Sequence, residues 1–152
     1  MAINPNTDFS SGAVLTAAQQ NRFPRGVMAY AEVTSTGTAT GTESVQITAS
    51  TFTAVANRYY KISYYEPQCY SGGAGMWELG IRLTNAAGTQ YQRGFGRNIA
   101  NEGVAILSQT IETFSAGSIV IVGTLKFSGG TGNPIRSATQ PAFILVEDMG
   151  PS

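Results

Sequence analysis

The side chains that carry most acid–base and metal chemistry are scarce in this chain. Among its 152 residues there is no histidine, one cysteine and nine acidic residues. Without imidazole there is no His-based triad, no His-ligated metal and no imidazole proton transfer. Glycoside hydrolysis needs two carboxyl groups flanking the scissile bond. Glu78 with Glu102 or Glu112 would be the pairs to consider, but nothing in their spacing links them. Glu78 and Arg82 instead share the polar side of one alternating segment, as surface charges do. Glu147-Asp148 is an adjacent acidic pair, and a calcium loop needs more oxygens at regular spacing. Gly94-Phe-Gly-Arg-Asn-Ile opens like a phosphate loop but lacks the third glycine, the preceding core strand and the following helix. There is no G-x-S-x-G elbow and no histidine to activate a serine. Cys69 lies in an apolar, aromatic stretch and reads as a buried small hydrophobe. A single cysteine makes neither an intrachain disulfide nor a Cys-rich zinc site. The expectation is no catalytic residue, no metal and no cofactor.

Aromatic side chains are the remaining candidates. Tyr59, Tyr60, Tyr64, Tyr65 and Tyr70, with Trp77 and Phe95, offer rings on which sugars or bases stack. Aromatic residues also fill cores and subunit contacts, because they bury large area at low entropic cost. Tyr59, Tyr65, Tyr70 and Phe95 are the expected interface or glycan contacts.

The elements that must position these rings are mostly strands. Residues 1–26 differ from the rest. Pro5, Asn6, Thr7 and Asp8 give an extended opening. Thr16 then caps a short helix of about two turns, with Gln19 at the capping-box spacing. Phe23-Pro-Arg-Gly ends it, since the residue before proline is biased away from helix. So short a helix is marginal in water and must dock on something. From Val27 the period is two. Strands are expected at Val27–Val33, at Ser44–Ala49 with Val45 and Ile47 on one face, and at Thr51–Val55. Arg58–Tyr65 is dense in β-formers. Trp77, Leu79, Ile81 and Leu83 alternate with Glu78 and Arg82, so they face the interior. Thr89–Arg93 returns as a hairpin partner, and Gly94–Asn98 breaks the pattern. Further strands are expected at Val104–Phe114, Ile119–Phe127 and Ala142–Asp148, with glycine-rich loops at 71–75 and 128–133.

About eight strands with turns every 8–15 residues and no long helix mean an antiparallel sandwich or barrel rather than βαβ units. The fold class expected is an all-β, jelly-roll-like sandwich over residues 27–152, preceded by an arm over residues 1–26. The immunoglobulin Cys…Trp…Cys signature is absent.

Nine basic residues balance nine acidic ones, so there is little attraction for nucleic acid phosphates or anionic lipid. The longest apolar runs, Ser118–Gly123 and Ala142–Val146, are too short to span a bilayer. The opening residues lack the basic region and apolar core of a secretory signal, so synthesis in a cytoplasm is expected. Only 18 residues are charged, while glycine, threonine and serine number 18, 17 and 13. Charge depletion marks the cores of interfaces, so contact with other subunits is expected.

Three segments carry a resemblance: Phe9-Ser-Ser-Gly-Ala-Val-Leu-Thr-Ala-Ala-Gln-Gln-Asn-Arg-Phe-Pro-Arg-Gly, Arg58-Tyr-Tyr-Lys-Ile-Ser-Tyr and Gln140-Pro-Ala-Phe-Ile-Leu-Val-Glu-Asp-Met-Gly-Pro. Together they resemble small virion structural proteins of tailed bacteriophages, of the minor tail, minor capsid and head decoration type. Phe23 stands where an aliphatic residue is commoner in that group, and Met149 where isoleucine or leucine is. The resemblance implies a β-domain led by an arm, closed rotational symmetry and most simply a homotrimer. It also implies capsid or tail subunits as partners, a place in the virion after synthesis in the bacterial host cytoplasm, and no catalytic residues. On this reading Phe9, Val14, Leu15, Phe23 and Arg25 anchor the arm. The alternative is a receptor- or glycan-binding module at a fibre tip, using the tyrosine-rich strand or the glycine-rich loops. Insertion into a membrane and binding of nucleic acid are not expected.

Overall fold

The computed structural model describes Gly12 and residues 14–152. One helical turn, α1 (Ala17–Gln20), precedes the strands β1 (Gly26–Val33), β2 (Ser44–Thr48), β3 (Phe52–Ala54), β4 (Arg58–Ser71) and β5 (Gly75–Leu83). Then come β6 (Gln90–Asn98), β7 (Glu102–Thr113), β8 (Gly117–Ile119), β9 (Ile121–Phe127), β10 (Asn133–Pro134) and β11 (Ala142–Pro151). The capping box forms as its residues dictate: Thr16 Oγ1 accepts from Gln19 N, and the Gln19 side chain accepts from Thr16 N. The helix has one turn rather than two, because no residue in it is buried to extend it.

The protein is an all-β antiparallel sandwich. In one sheet β1 pairs with β11, β11 with β4, and β4 with β7; the short β10 extends the line of β11 beside Cys69 and Tyr70. The other sheet runs β2-β9-β5-β6. A two-stranded ribbon, β3 with β8, closes one end. Apart from the β5–β6 hairpin, successive long strands pass from one sheet to the other.

The core lies between the sheets. Alternation sends Tyr60, Ile62 and Tyr64 of β4 and Ile144 and Val146 of β11 inward from one side. Trp77, Leu79 and Ile81 of β5 and Leu125 and Phe127 of β9 meet them from the other, all without solvent exposure. Leu83, the last member of the expected set, is half-buried. Trp77 stacks on Phe127 at 4.5 Å between centroids. Phe52, Tyr60 and Phe114 pack edge and face at 5.4–6.1 Å beneath the β3–β8 ribbon.

Two departures from the sequence reading have structural causes. Gly94–Asn98 does not break the strand; β6 continues to Asn98. A Cβ at Gly96 would lie 2.7 Å from Ile106 Cδ1, so this glycine serves close approach to β7 rather than a turn. Val45 and Ile47 do not share a face, because a bulge separates them in the pairing with β9, leaving Val45 40% exposed and Ile47 buried. A second bulge, between Glu66 and Cys69, shifts the inward phase of β4 from even to odd positions, so that Cys69 is buried as Glu66 is. Glu66 there receives Arg136 Nη2 at 2.6 Å and Tyr64 Oη at 2.5 Å. Cys69 is buried, and burial pushes its thiol well above the ordinary range.

Candidate interaction surface

The outward side chains of β4 are Tyr59, Lys61, Ser63 and Tyr65, because their alternates fill the core. Register sets Tyr65 between Leu107 of β7 and Phe143 of β11. Ser63 lies between Gln109 and Leu145, and Lys61 between Ile111 and Glu147. On β1, Tyr30 stands beside Leu145 and Val27 beside Glu147. The outer face of this sheet is therefore an apolar and aromatic field. Leu107 is 53% exposed, Ile111 60% and Val27 62%. Phe143 joins Tyr30 at 6.5 Å and Tyr65 at 5.5 Å between centroids, a continuous line of rings. Near the centre Lys61 Nζ meets Glu147 Oε2 at 3.3 Å. Such a half-exposed pair contributes about 0–1 kcal/mol and neutralises the centre of the field, while Glu32, beside Phe143 at the β1 edge, accepts from Tyr30 Oη at 3.0 Å and adds one carboxylate there.

The outer face of the other sheet is built differently. Glu43 accepts from Arg82 Nε at 2.5 Å, from Arg82 Nη2 at 2.6 Å and from Thr124 Oγ1 at 2.5 Å. Burial would raise the Glu43 carboxyl, but the bonds from Arg82 and Thr124 outweigh it and hold it below its ordinary value. Glu78 pairs with Arg93 at 3.0 Å. Phe95 stands 60% exposed opposite Glu78. Gly80 makes room for this network, since a Cβ there would lie 2.9 Å from Glu43 Oε1.

A third feature lies where β4 begins and β11 ends. Arg58 is buried at the first position of β4 and forms a bidentate pair with Asp148, at 2.6 and 2.7 Å. Its Nη1 donates to the Asn21 carbonyl and its Nη2 to the Phe23 carbonyl, each at 2.6 Å. Asp148 Oδ1 also accepts from Gly150 N at 2.8 Å. Burial would raise the Asp148 carboxyl; hydrogen bonds from Arg58, Gly150 and the Arg25 backbone hold it below its usual value instead.

The expected arm residues fall as follows. Phe9 lies outside the described residues. Val14, Leu15 and Phe23 are 90%, 38% and 41% exposed. Arg25 is exposed at its side chain and bound to Asp148 through its backbone. The expected aromatic contacts do not form one platform. Tyr59 and Tyr65 share the apolar face, Tyr70 lies beyond the bulge with its Oη 3.5 Å from Asn101 Oδ1, and Phe95 is on the opposite sheet. Tyr60, Tyr64 and Trp77 are core. Leu107, Ile111, Tyr30, Phe143 and Leu145 complete the apolar face and were not singled out from sequence. Their signal is the absence of a polar side in Ala142-Phe-Ile-Leu-Val, the pattern of a strand covered on both faces. Glu147 and Asp148 point to opposite faces and take different partners, Lys61 and Arg58. Among the described residues no three His, Cys, Asp or Glu side chains converge. No protein-family model matches the chain, and no curated protein matches it.

Proposed function

We propose that this chain is a non-enzymatic structural subunit of a bacteriophage particle. Its β-sandwich assembles with copies of itself, most simply as a trimer, on the capsid exterior or the tail. The arm of residues 1–26 joins it to neighbouring capsid or tail subunits. The observation that carries this reading is the outer face of the β1-β11-β4-β7 sheet. β11 has the composition of a strand covered on both sides, yet among the described residues its inner side is buried while its outer side chains Phe143 and Leu145 are only half-buried. Contiguous exposed apolar surface of this kind marks interaction sites. We also read the strand orders β1-β11-β4-β7 and β2-β9-β5-β6 as the double Greek key of a jelly roll.

Light scattering after size exclusion tests this. The expected mass is three times the 16.0 kDa chain. Replacing the exposed Leu107 and Ile111 by glutamate sets like charges in the contact and should return the protein to monomers without loss of fold. A wild-type monomer at all attainable concentrations would defeat the reading.

A second reading, a glycan-binding module, is favoured by Phe95. Its exposed ring lies in the ion-paired face beside Glu78 and Arg93, a ring with polar groups at its edge. Glycan-array binding that disappears in Phe95→Ala would support it. Trp77 cannot serve, being buried against Phe127.

A further inference from the structure

We propose that the buried Arg58–Asp148 pair is the joint that fixes the root of the arm to the β-sandwich, and that assembly through the arm depends on it. The proposal rests on the reading above only in its second half. None of the four residues of helix α1 is fully buried, so packing of the helix alone is a weak hold on the arm. The chain leaves the helix through Asn21, its C-cap, toward Phe23. Here the carbonyls of Asn21 and Phe23 receive the two outer nitrogens of Arg58. The same guanidinium is held in plane by both oxygens of Asp148. A planar fork with five fixed donors suits this task, and a lysine ammonium does not reproduce it. Gly150 completes the seat: with φ +106°, it lets Arg22 O lie 3.4 Å from where a Cβ would be. Residues 21–25, 58 and 148–150 thus meet at one point, and Val14 and Leu15 stand exposed on the segment it holds.

The test uses the full chain and two variants. Arg58→Met with Asp148→Leu removes the joint without leaving a lone buried charge. Arg58→Lys keeps the charge but loses the fork, and serves if the double variant fails to fold. Trypsin cutting after Arg22 and Arg25 is followed on the isolated protein, beside cooperative melting of the sandwich. When cleavage follows local opening, its rate reports the open population, and about tenfold faster cutting is expected in the variants. Assembly is then measured by light scattering and by incorporation into particles. Faster cutting with loss of assembly supports the proposal. Unchanged cutting in a variant whose sandwich still melts as one unit overturns the joint. Faster cutting with unchanged assembly overturns the dependence. A wild-type chain that never assembles defeats the subunit reading instead, and the cutting rates still decide whether the joint exists.

Discussion

Leu79 and Ile81 have no solvent exposure and lie where the two sheets meet. Truncating either to alanine removes buried methylenes and leaves a cavity, so a loss of about 2–5 kcal/mol is expected in denaturant melts. Glu66 and Arg136 form a fully buried pair, and Tyr64 adds a further donor to the carboxylate. Arg136→Met leaves the carboxylate without its cation, a change that costs about 3–5 kcal/mol at buried pairs. Asp148, like Glu43, contributes to the acid side of the stability profile. Its native carboxyl is held below the ordinary value of 3.8. A group depressed in the native state contributes stability above its unfolded pKa and loses it as pH falls through the native one. Urea melts from pH 6 down to pH 2 should therefore show stability falling below about pH 4, and falling less steeply in Asp148→Asn.

At the scale of elements, β6 and β7 explain each other. Gly94 and Gly96 face Ile106 and Ser108 across the edge where the two sheets meet. Gly96→Ala would drive a methyl into Ile106 and Val104, and overpacking of this kind costs about 1–3 kcal/mol. Thermal melts against Gly72→Ala, which meets nothing closer than 3.8 Å, would isolate the effect. The same pair shows where sequence reading stops. Glycine as a turn and glycine as a point of close approach look alike until the crossing strand is known. The Thr16–Gln19 box and the Trp77–Leu79–Ile81 face were legible because both are local, set by contacts three or two residues apart. The bulge between Val45 and Ile47 was not, since only the pairing with β9 places it. Arg58 and Asp148 are 90 residues apart, and nothing local announces their pairing. Of the candidate surface, Tyr59 and Tyr65 were readable as strand aromatics. The rest of the face needed the register of β1, β7 and β11 before it could be assembled.

For the whole molecule, the two outer faces differ in kind. One carries rings and aliphatic side chains around a single central ion pair; the other carries Glu43, Glu78, Arg82 and Arg93 in mutual pairs. In the assembly proposed above, each chain should bury more than about 1,000 Å², the lower bound of specific interfaces. Solvent protection should fall on Leu107 and Phe143 rather than on Arg82 or Arg93. Hydrogen exchange of assembled against dissociated protein would show it. The arm root and the last strand end at the same pole, where Ser152 N donates to Asn57 O beside the Arg58 seat. The loops at 71–75, 99–101 and 128–132 gather at the other: Asn101 N donates to Ser71 O, and Ser71 Oγ donates to Thr131 O. The 14 residues of β4 run between the poles, roughly 45 Å at about 3.3 Å per residue. That separation makes the molecule a natural display scaffold. A short epitope placed between Gly130 and Thr131, where a Cβ on the glycine would meet nothing within 4 Å, would be carried at the full length of the sandwich from the pole that holds residues 21–25. If the subunit sits on a particle by that pole, as proposed, antibody should reach the epitope without displacing it.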